Sequence, residues 1–204
     1  MFMVFTVLYI FFIGVLLCIS LPLVLIISVC IVCTSGIPII FFQERIGKNG
    51  KVFVMCKFRT MFVDAERRQR EYKKRNEADG PVFKIHDDPR FTRIGKFLSH
   101  TGLDELPQLW NIIRGDMSLF GPRPLPVFEA KKLLSWQKKR QIIKPGIFSP
   151  WVLNGYHTKT FTEWMKSDCT YVLDKSVWYD IKLFFRSMGF MMKLFFHETI
   201  GRET

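Results

Sequence analysis

No charged side chain precedes Glu44. From Met1 to Phe42 the chain is almost entirely Phe, Leu, Ile and Val, and from Arg45 onward Lys and Arg are dense. A stretch of about 20 apolar residues spans a bilayer. This one is too long for a single straight crossing and short for two. Pro22 stands near its middle, where it removes a backbone bond and kinks a helix. Two outcomes follow: a kinked helix that crosses the membrane, or a helix that bends at Pro22 and returns to the face it entered. Thr34, Ser35 and Gly36 end the helix, and Pro38 prevents its continuation. No basic n-region or small-residue cleavage site marks a signal peptide. The cations after Arg45 place the body on the cytoplasmic side.

The 204 residues fit one domain with a small appendage, and the formal net charge is +12. A basic surface beside an apolar anchor suits anionic lipid headgroups or phosphorylated substrates. No zinc-finger spacing or RNA-binding aromatic motif supports a nucleic-acid partner. The five cysteines are irregularly spaced, and Cys30 and Cys33 read as small apolar residues of the membrane helix. The simplest setting is a reducing, cytoplasm-facing body.

The body reads as α+β and mostly helical. Short strands are expected at 39–42 and 52–57, around the turn Gly47-Lys48-Asn49-Gly50. Residues 64–78 form a charged, solvated helix or loop. Asp87 or Asp88 can cap the helical segment that follows. Residues 126–143 and 161–173 are expected to be helical. Near the C-terminus, residues 176–196 place Lys182, Arg186 and Lys193 on one face of a helix, with Trp178, Phe184, Phe185, Met188, Met192 and Phe195 over much of the rest. That is the pattern of an interfacial helix, or of a helix packing on the body.

The stretch TGLDELPQLW at 101–110 sets Asp104 beside Glu105. Acids in a first helical turn are favourable in themselves, and Thr101 with Asp104 resembles a capping box. Pro107 makes this a poor place for a merely stabilising helix start. Lys57, Arg59, Arg114 and Arg123 lie in neighbouring segments. A carboxylate at a helix N-terminus near cations should have a depressed pKa and stay ionised. Such a group can attack phosphorus, and it can help to hold Mg²⁺ together with substrate phosphates.

KFRTM (57–61), GLDELPQLWNIIRGDMSLFGPRP (102–124) and KPGI (144–147) resemble the bacterial sugar transferase family, the monotopic phosphoglycosyl transferases. FFQERIGKNGKVFVMCKFRTM (41–61) and DDPRFTRIGKFL (87–98) extend the resemblance over nearly the whole chain. The chain looks like the minimal form of that family. The resemblance implies transfer of a phosphosugar from a UDP-sugar to polyprenol (undecaprenyl) phosphate, with Mg²⁺ and release of UMP. It implies that Asp104 is the nucleophile and a metal ligand, and that a covalent phosphosugar intermediate forms on it. Glu105 would position it or move a proton. Lys57, Arg59 and Arg123 are the candidates for diphosphate or nucleotide contacts. The N-terminal helix would be re-entrant, bent at Pro22, in a protein of the bacterial inner membrane facing the cytoplasm. The expected division is 1–38 embedded, 39–175 catalytic and 176–204 interfacial. Membrane lipids are implied partners, and a homo-oligomer is left open.

The chain also departs from the family pattern. Ser99 stands where Arg is common, Gly102 where Ser is usual, and Phe148-Ser149, Trp151-Val152 and Gly155-Tyr156 follow KPGI. Two phosphate-binding cations are thereby missing, at Ser99 and Tyr156. His100, His157 and Lys159 are the neighbours able to stand in. The alternative is a catalytically weak or inactive homologue that acts as a membrane partner of glycan-assembly enzymes. The sugar and the glycan pathway are not specified by these residues.

Overall fold

The computed structural model describes residues 2–85, 87–153 and 160–200. Helix α1 (Phe2–Ser35) continues through Pro22. Three of its hydroxyls are satisfied within the helix: Ser20 donates to Leu17 O (2.9 Å), Ser28 to Val24 O (2.7 Å) and Thr34 to Cys30 O (2.7 Å). Gly36, at φ +75°, ends it. The helix is long and apolar enough to cross a membrane. One stripe of it is buried on the body, through Ile13, Ser20, Ile27 and Ile31, while Phe11, Ile19, Leu25, Ile26 and Val29 are exposed. Exposed apolar area on that scale marks a membrane-associated surface.

Strands β1 (Ile40–Ile46) and β2 (Val52–Phe58) form the expected antiparallel hairpin, with Phe41 opposite Lys57 and Arg45 opposite Phe53. The tight turn is carried by Asn49 and Gly50, both at positive φ, and Gly47 N donates to Lys51 O (2.7 Å). The outer edge of β2 is closed by a side chain. Asn111 accepts from Cys56 N (3.0 Å) and donates to Val54 O (2.7 Å), satisfying strand groups that have no neighbouring strand.

After α2 (Ala65–Glu71), helix α3 runs from Arg93 to Thr101. Its cap is Thr92, which accepts from Gly95 N (3.0 Å), and not Asp87 or Asp88. Those acids are engaged elsewhere: Asp88 in a buried pair with Arg90 (2.6 Å) and Asp87 with Lys96 (2.5 Å). Helix α4 (Gln108–Ile113) leads to β3 (Ser118–Phe120), which pairs in parallel with β4 (Gly146–Phe148). A Cβ on Gly146 would run into the backbone of Phe120 and Gly121, so the GPRP and KPGI segments lie back to back.

The single helix expected over 126–143 is instead α5 (Val127–Ala130) and, after a turn, a 3₁₀ segment Gln137–Ile142. Side chains take over the helical groups here. Gln137 accepts from Leu134 N (2.8 Å), and Arg140 turns inward to Asp168. Helices α6 (Pro150–Leu153), α7 (Phe161–Asp174) and α8 (Val177–Ile200) complete the chain. α7 matches expectation and carries a full Thr160–Glu163 capping box.

The core has three parts. Ile13 of α1 packs with Phe53, Met55, Leu109 and Leu119. Ile27 and Ile31 pack with Phe58 and Leu98. Leu125, Leu133, Trp151, Phe161 and Trp164 form the third. α8 buries Leu183 and Ser187 and leaves Trp178, Phe185, Met188, Met192 and Phe195 exposed.

Candidate active site

Asp104 and Glu105 do not sit at the start of a long helix. Thr101 is the last residue of α3, and its hydroxyl donates back to Phe97 O (2.8 Å) instead of capping forward. Gly102 turns the chain at φ +73°, Leu103–Glu105 form one 3₁₀ turn, and α4 begins only after Pro107. The acids thus occupy an elbow between two helices. The left-handed turn accounts for glycine at position 102, where a side chain would be strained.

The elbow lies against a cavity of about 780 Å³. Lys57 from β2, Arg45 from β1 and Arg123 from the GPRP loop line it, as do Lys84, Ser99 and His100. Its apolar wall comes from Leu16, Ile19 and Leu23 of α1 and from Phe190, Met191 and Leu194 of α8. The site therefore opens between charged groups of the body and the two helices with exposed apolar faces.

Asp104 is 5% exposed, and among the described residues it closes no ion pair. Burial pushes its carboxyl up to about 7; Lys57, the largest opposing influence, pulls it down, and Glu105 raises it further. This reverses the sequence expectation of a depressed pKa. With only one 3₁₀ turn beneath the acid, the helix-end contribution is small, and desolvation outweighs it. Burial likewise lowers the pKa of Lys57, with Asp104 acting against it. Glu105 pairs with Arg123 (2.6 Å).

The GPRP loop is held by its carbonyls. Prolines 122, 124 and 126 have no N–H to offer a sheet or helix. Pro122 O accepts from Gly146 N (3.1 Å), Arg123 O from Arg140 (2.5 Å), Pro124 O from Arg45 (2.8 Å) and Leu125 O from Ile46 N (3.0 Å). Arg140 is in turn fixed by the buried Asp168 (2.6 Å). This clamp presents the Arg123 guanidinium to Glu105.

Of the residues expected from sequence, Asp104, Glu105, Lys57 and Arg123 come together at the cavity. Arg59 does not. It is buried, and it donates to Ser35 O (2.6 Å) and Gly36 O (2.8 Å), carbonyls that the end of α1 leaves without helical partners. β2 ends at Phe58, so Arg59 lies just past the strand that carries Lys57, and its side chain goes to the end of α1. Pro22 lies in α1, close to the cavity-lining Ile19 and Leu23. Tyr156, His157 and Lys159 fall outside the described residues.

Arg45, Lys84 and Glu129 also line the cavity and were missed. Arg45 was within reach of sequence reasoning, since the 47–50 turn and strand alternation put it on the Lys57 face of the hairpin. Glu129 had no signal, because its segment reads as an ordinary helix.

A metal ion fits this donor set in one mode. Among the described residues no cluster of three His, Cys, Asp or Glu could hold one. Asp104 has an unpaired carboxylate and Glu105 stands beside it, which matches Mg²⁺ bound by one or two carboxylates together with substrate phosphates.

Residues 2–194 match the family model described as bacterial sugar transferase. The chain is 47% identical to the galactosyl transferase CpsE of Streptococcus agalactiae over 150 residues, 73% of this chain and 33% of that protein. It is 37% identical to a UDP-galactose-lipid carrier transferase of Erwinia amylovora, over 83% of this chain and 36% of that protein. It is 33% identical to an undecaprenyl-phosphate galactose phosphotransferase of Salmonella typhimurium, over 79% of this chain and 35% of that protein. The chain thus spans about a third of the length of each of these relatives.

Proposed function

Since the chain belongs to the bacterial sugar transferase family, we propose that it transfers a phosphosugar from a UDP-sugar to polyprenol (undecaprenyl) phosphate. The observation that carries this reading is the placement of Asp104, buried yet unpaired, in a cavity walled on one side by cations and on the other by α1 and α8. One substrate is water-soluble and the other is a lipid whose phosphate lies at headgroup level, and such a cavity is open to both.

Asp104 attacks the phosphorus that bears the sugar. The bond from that phosphorus to the bridging oxygen breaks, UMP leaves, and an acyl phosphate joins Asp104 to the phosphosugar. A phosphate oxygen of the polyprenol phosphate then attacks the same phosphorus. The bond to Asp104 breaks, polyprenol diphosphosugar departs, and the carboxylate is restored. Lys57 favours the ionised form of Asp104. Arg123 and Arg45 face the diphosphate, and Glu105, held by Arg123, keeps Asp104 oriented. Mg²⁺, held by Asp104 and the substrate phosphates, would neutralise charge on the diphosphate. The cation absent at Ser99 is offset by Arg45, Lys57 and Lys84 in the same cavity, which favours an active enzyme over a non-catalytic homologue.

The same reading makes α1 re-entrant and the protein monotopic, with residues 39–175 on the cytoplasmic side of the inner membrane. Both ends of α1 touch the body: Tyr9 Oη accepts from Leu119 N (3.2 Å), and Ser35 O accepts from Arg59 (2.6 Å). A straight helix between them is about 39 Å long at 1.5 Å per residue, more than the hydrocarbon core of about 30 Å. Contact of both ends with one body supports a helix that returns to the face it entered. α8 would lie in the interface, its exposed Trp178, Phe185 and Phe195 among Lys182, Arg186 and Lys193.

The test is UMP release by the full chain in lipid nanodiscs with Mg²⁺, a panel of UDP-sugars and undecaprenyl phosphate. Release is expected from at least one donor, with a phosphosugar-sized mass increase on the Asp104 peptide when acceptor is omitted. No release across the panel, or release by Asp104→Asn, rejects the mechanism. A tag at the N-terminus that is protected from the cytoplasmic side rejects re-entry.

A further inference from the structure

The cavity holds an acid that the proposed chemistry leaves idle. Glu129 projects into it from α5 and is 7% exposed. Arg45, Arg123 and Arg140 surround it electrostatically, yet each is committed elsewhere. Arg45 donates to Pro124 O (2.8 Å) and Gln43 Oε1 (2.5 Å). Arg123 pairs with Glu105 (2.6 Å), and Arg140 with Asp168 (2.6 Å). Among the described residues the Glu129 carboxyl takes part in no hydrogen bond or ion pair. Burial pushes its pKa up to about 7 despite Arg45, so the protein solvates it poorly. A buried polar group without a partner is costly and calls for an explanation.

The same cavity has an aromatic wall. Trp151 and Trp164 stack with centroids 4.9 Å apart, and Phe161 meets Trp164 edge-on at 5.8 Å; all three line the cavity. Aromatic faces that share a cavity with a carboxylate having vacant acceptor sites suit a polyhydroxylated ring, whose C–H face lies on the aromatics and whose hydroxyls donate to the acid. Arg123 links this end of the cavity to the elbow, because it acts on Glu129 and is bonded to Glu105.

We propose that Glu129 binds the nucleotide-sugar donor by accepting hydrogen bonds from a vicinal diol. The diol belongs either to the ribose or to the transferred sugar, and the chemistry is the same for both. The proposal rests on the transferase reading above. A purely structural Glu129 would balance the arginines and have no preference among ligand hydroxyls.

The experiment titrates the full chain in nanodiscs, as wild type, Glu129→Gln and Glu129→Ala, with UMP, 2′-deoxy-UMP and UDP-sugars that differ in one hydroxyl. Hydrogen bonds to a charged group predict about a ten-fold or greater loss of affinity on their removal. If the ribose is the ligand, wild type discriminates against 2′-deoxy-UMP and both variants lose that discrimination. If the sugar is the ligand, UMP affinity is unchanged, but the variants lose affinity for UDP-sugars and their ranking of donors flattens. Variants that match wild type toward every ligand overturn the proposal while the transferase reading stands. A wild type that binds neither UMP nor any UDP-sugar defeats the transferase reading and this proposal together. Glu129→Gln keeps the shape of the side chain, so a folding defect confined to Glu129→Ala leaves the test intact.

Discussion

Asp104 and Asp168 are both buried carboxylates with a cation beside them, and they are arranged to opposite ends. Asp168 is fully enclosed and gripped by Arg140, through Nε at 2.9 Å and Nη2 at 2.6 Å. Asp104 has Lys57 within electrostatic reach but closes no ion pair among the described residues, and it faces an open cavity. One acid is paired through its Oδ2 and holds the GPRP loop in place through Arg140. The other is left poorly solvated, and a substrate phosphate with its cation can complete it. A buried acid that stabilises a fold is paired; one that reacts is kept short of partners.

The sharpest way to break this contrast is to neutralise each acid in turn. Asp104→Asn should lower UMP release by about a thousand-fold or more, because the acceptor of the phosphosugar is gone. The same change should not cost stability. The folded-state pKa of Asp104, about 7, lies above its unfolded value. Its contribution to stability is therefore fully present below the unfolded pKa and is lost as pH rises through 7. Asp104→Asn should thus gain on wild type between pH 5 and pH 8, by up to a few kcal/mol. A thermal-melt series in nanodiscs checks the sign, and a variant that loses ground as pH rises would refute it.

Asp168→Asn should do the reverse. It leaves Arg140 buried without its counter-charge and should destabilise the protein by about 3–5 kcal/mol. Protein that remains folded should retain the chemistry, as judged by UMP release per folded molecule. A smaller effect is expected from Lys57→Met. Lys57 lowers the pKa of Asp104, so its loss should move the midpoint of the pH–rate profile upward by about one unit. At neutral pH that is roughly a five-fold loss, recoverable at higher pH. An unchanged midpoint would remove Lys57 as the group that tunes Asp104. The smallest effect should come from Arg59→Met, which frees two carbonyls at the end of α1 and should cost about 1–2 kcal/mol. Its KM for the UDP-sugar should be that of wild type. A raised KM would return Arg59 to the substrate site.

Much of this was legible in the chain. The hairpin followed from short strand-like runs around a turn rich in glycine, and a helix was expected over 161–173, because both depend on neighbours close in sequence. Asp104 and Glu105 stood out by motif. The long helix expected over 126–143 failed because Gln137 and Arg140 found better partners than helical geometry offered, one of them the distant Asp168. The reading of Arg59 failed for a related reason. Two cations separated by one residue in KFRTM look alike in sequence, but β2 ends at Phe58, so Lys57 stays in the strand beside the cavity while Arg59 reaches the end of α1.

The sequence by itself determined an apolar N-terminal segment before a basic α+β body, the family and the acid pair, since residue type and spacing along the chain suffice for these. Tertiary structure alone decided the protonation balance of Asp104, the removal of Arg59 from the site, and the recruitment of Glu129 to it. Those depend on burial and on contacts between residues far apart in sequence, such as Arg45 with Pro124 or Arg140 with Asp168. The cost of removing a charge from water is set by whatever the fold places around it.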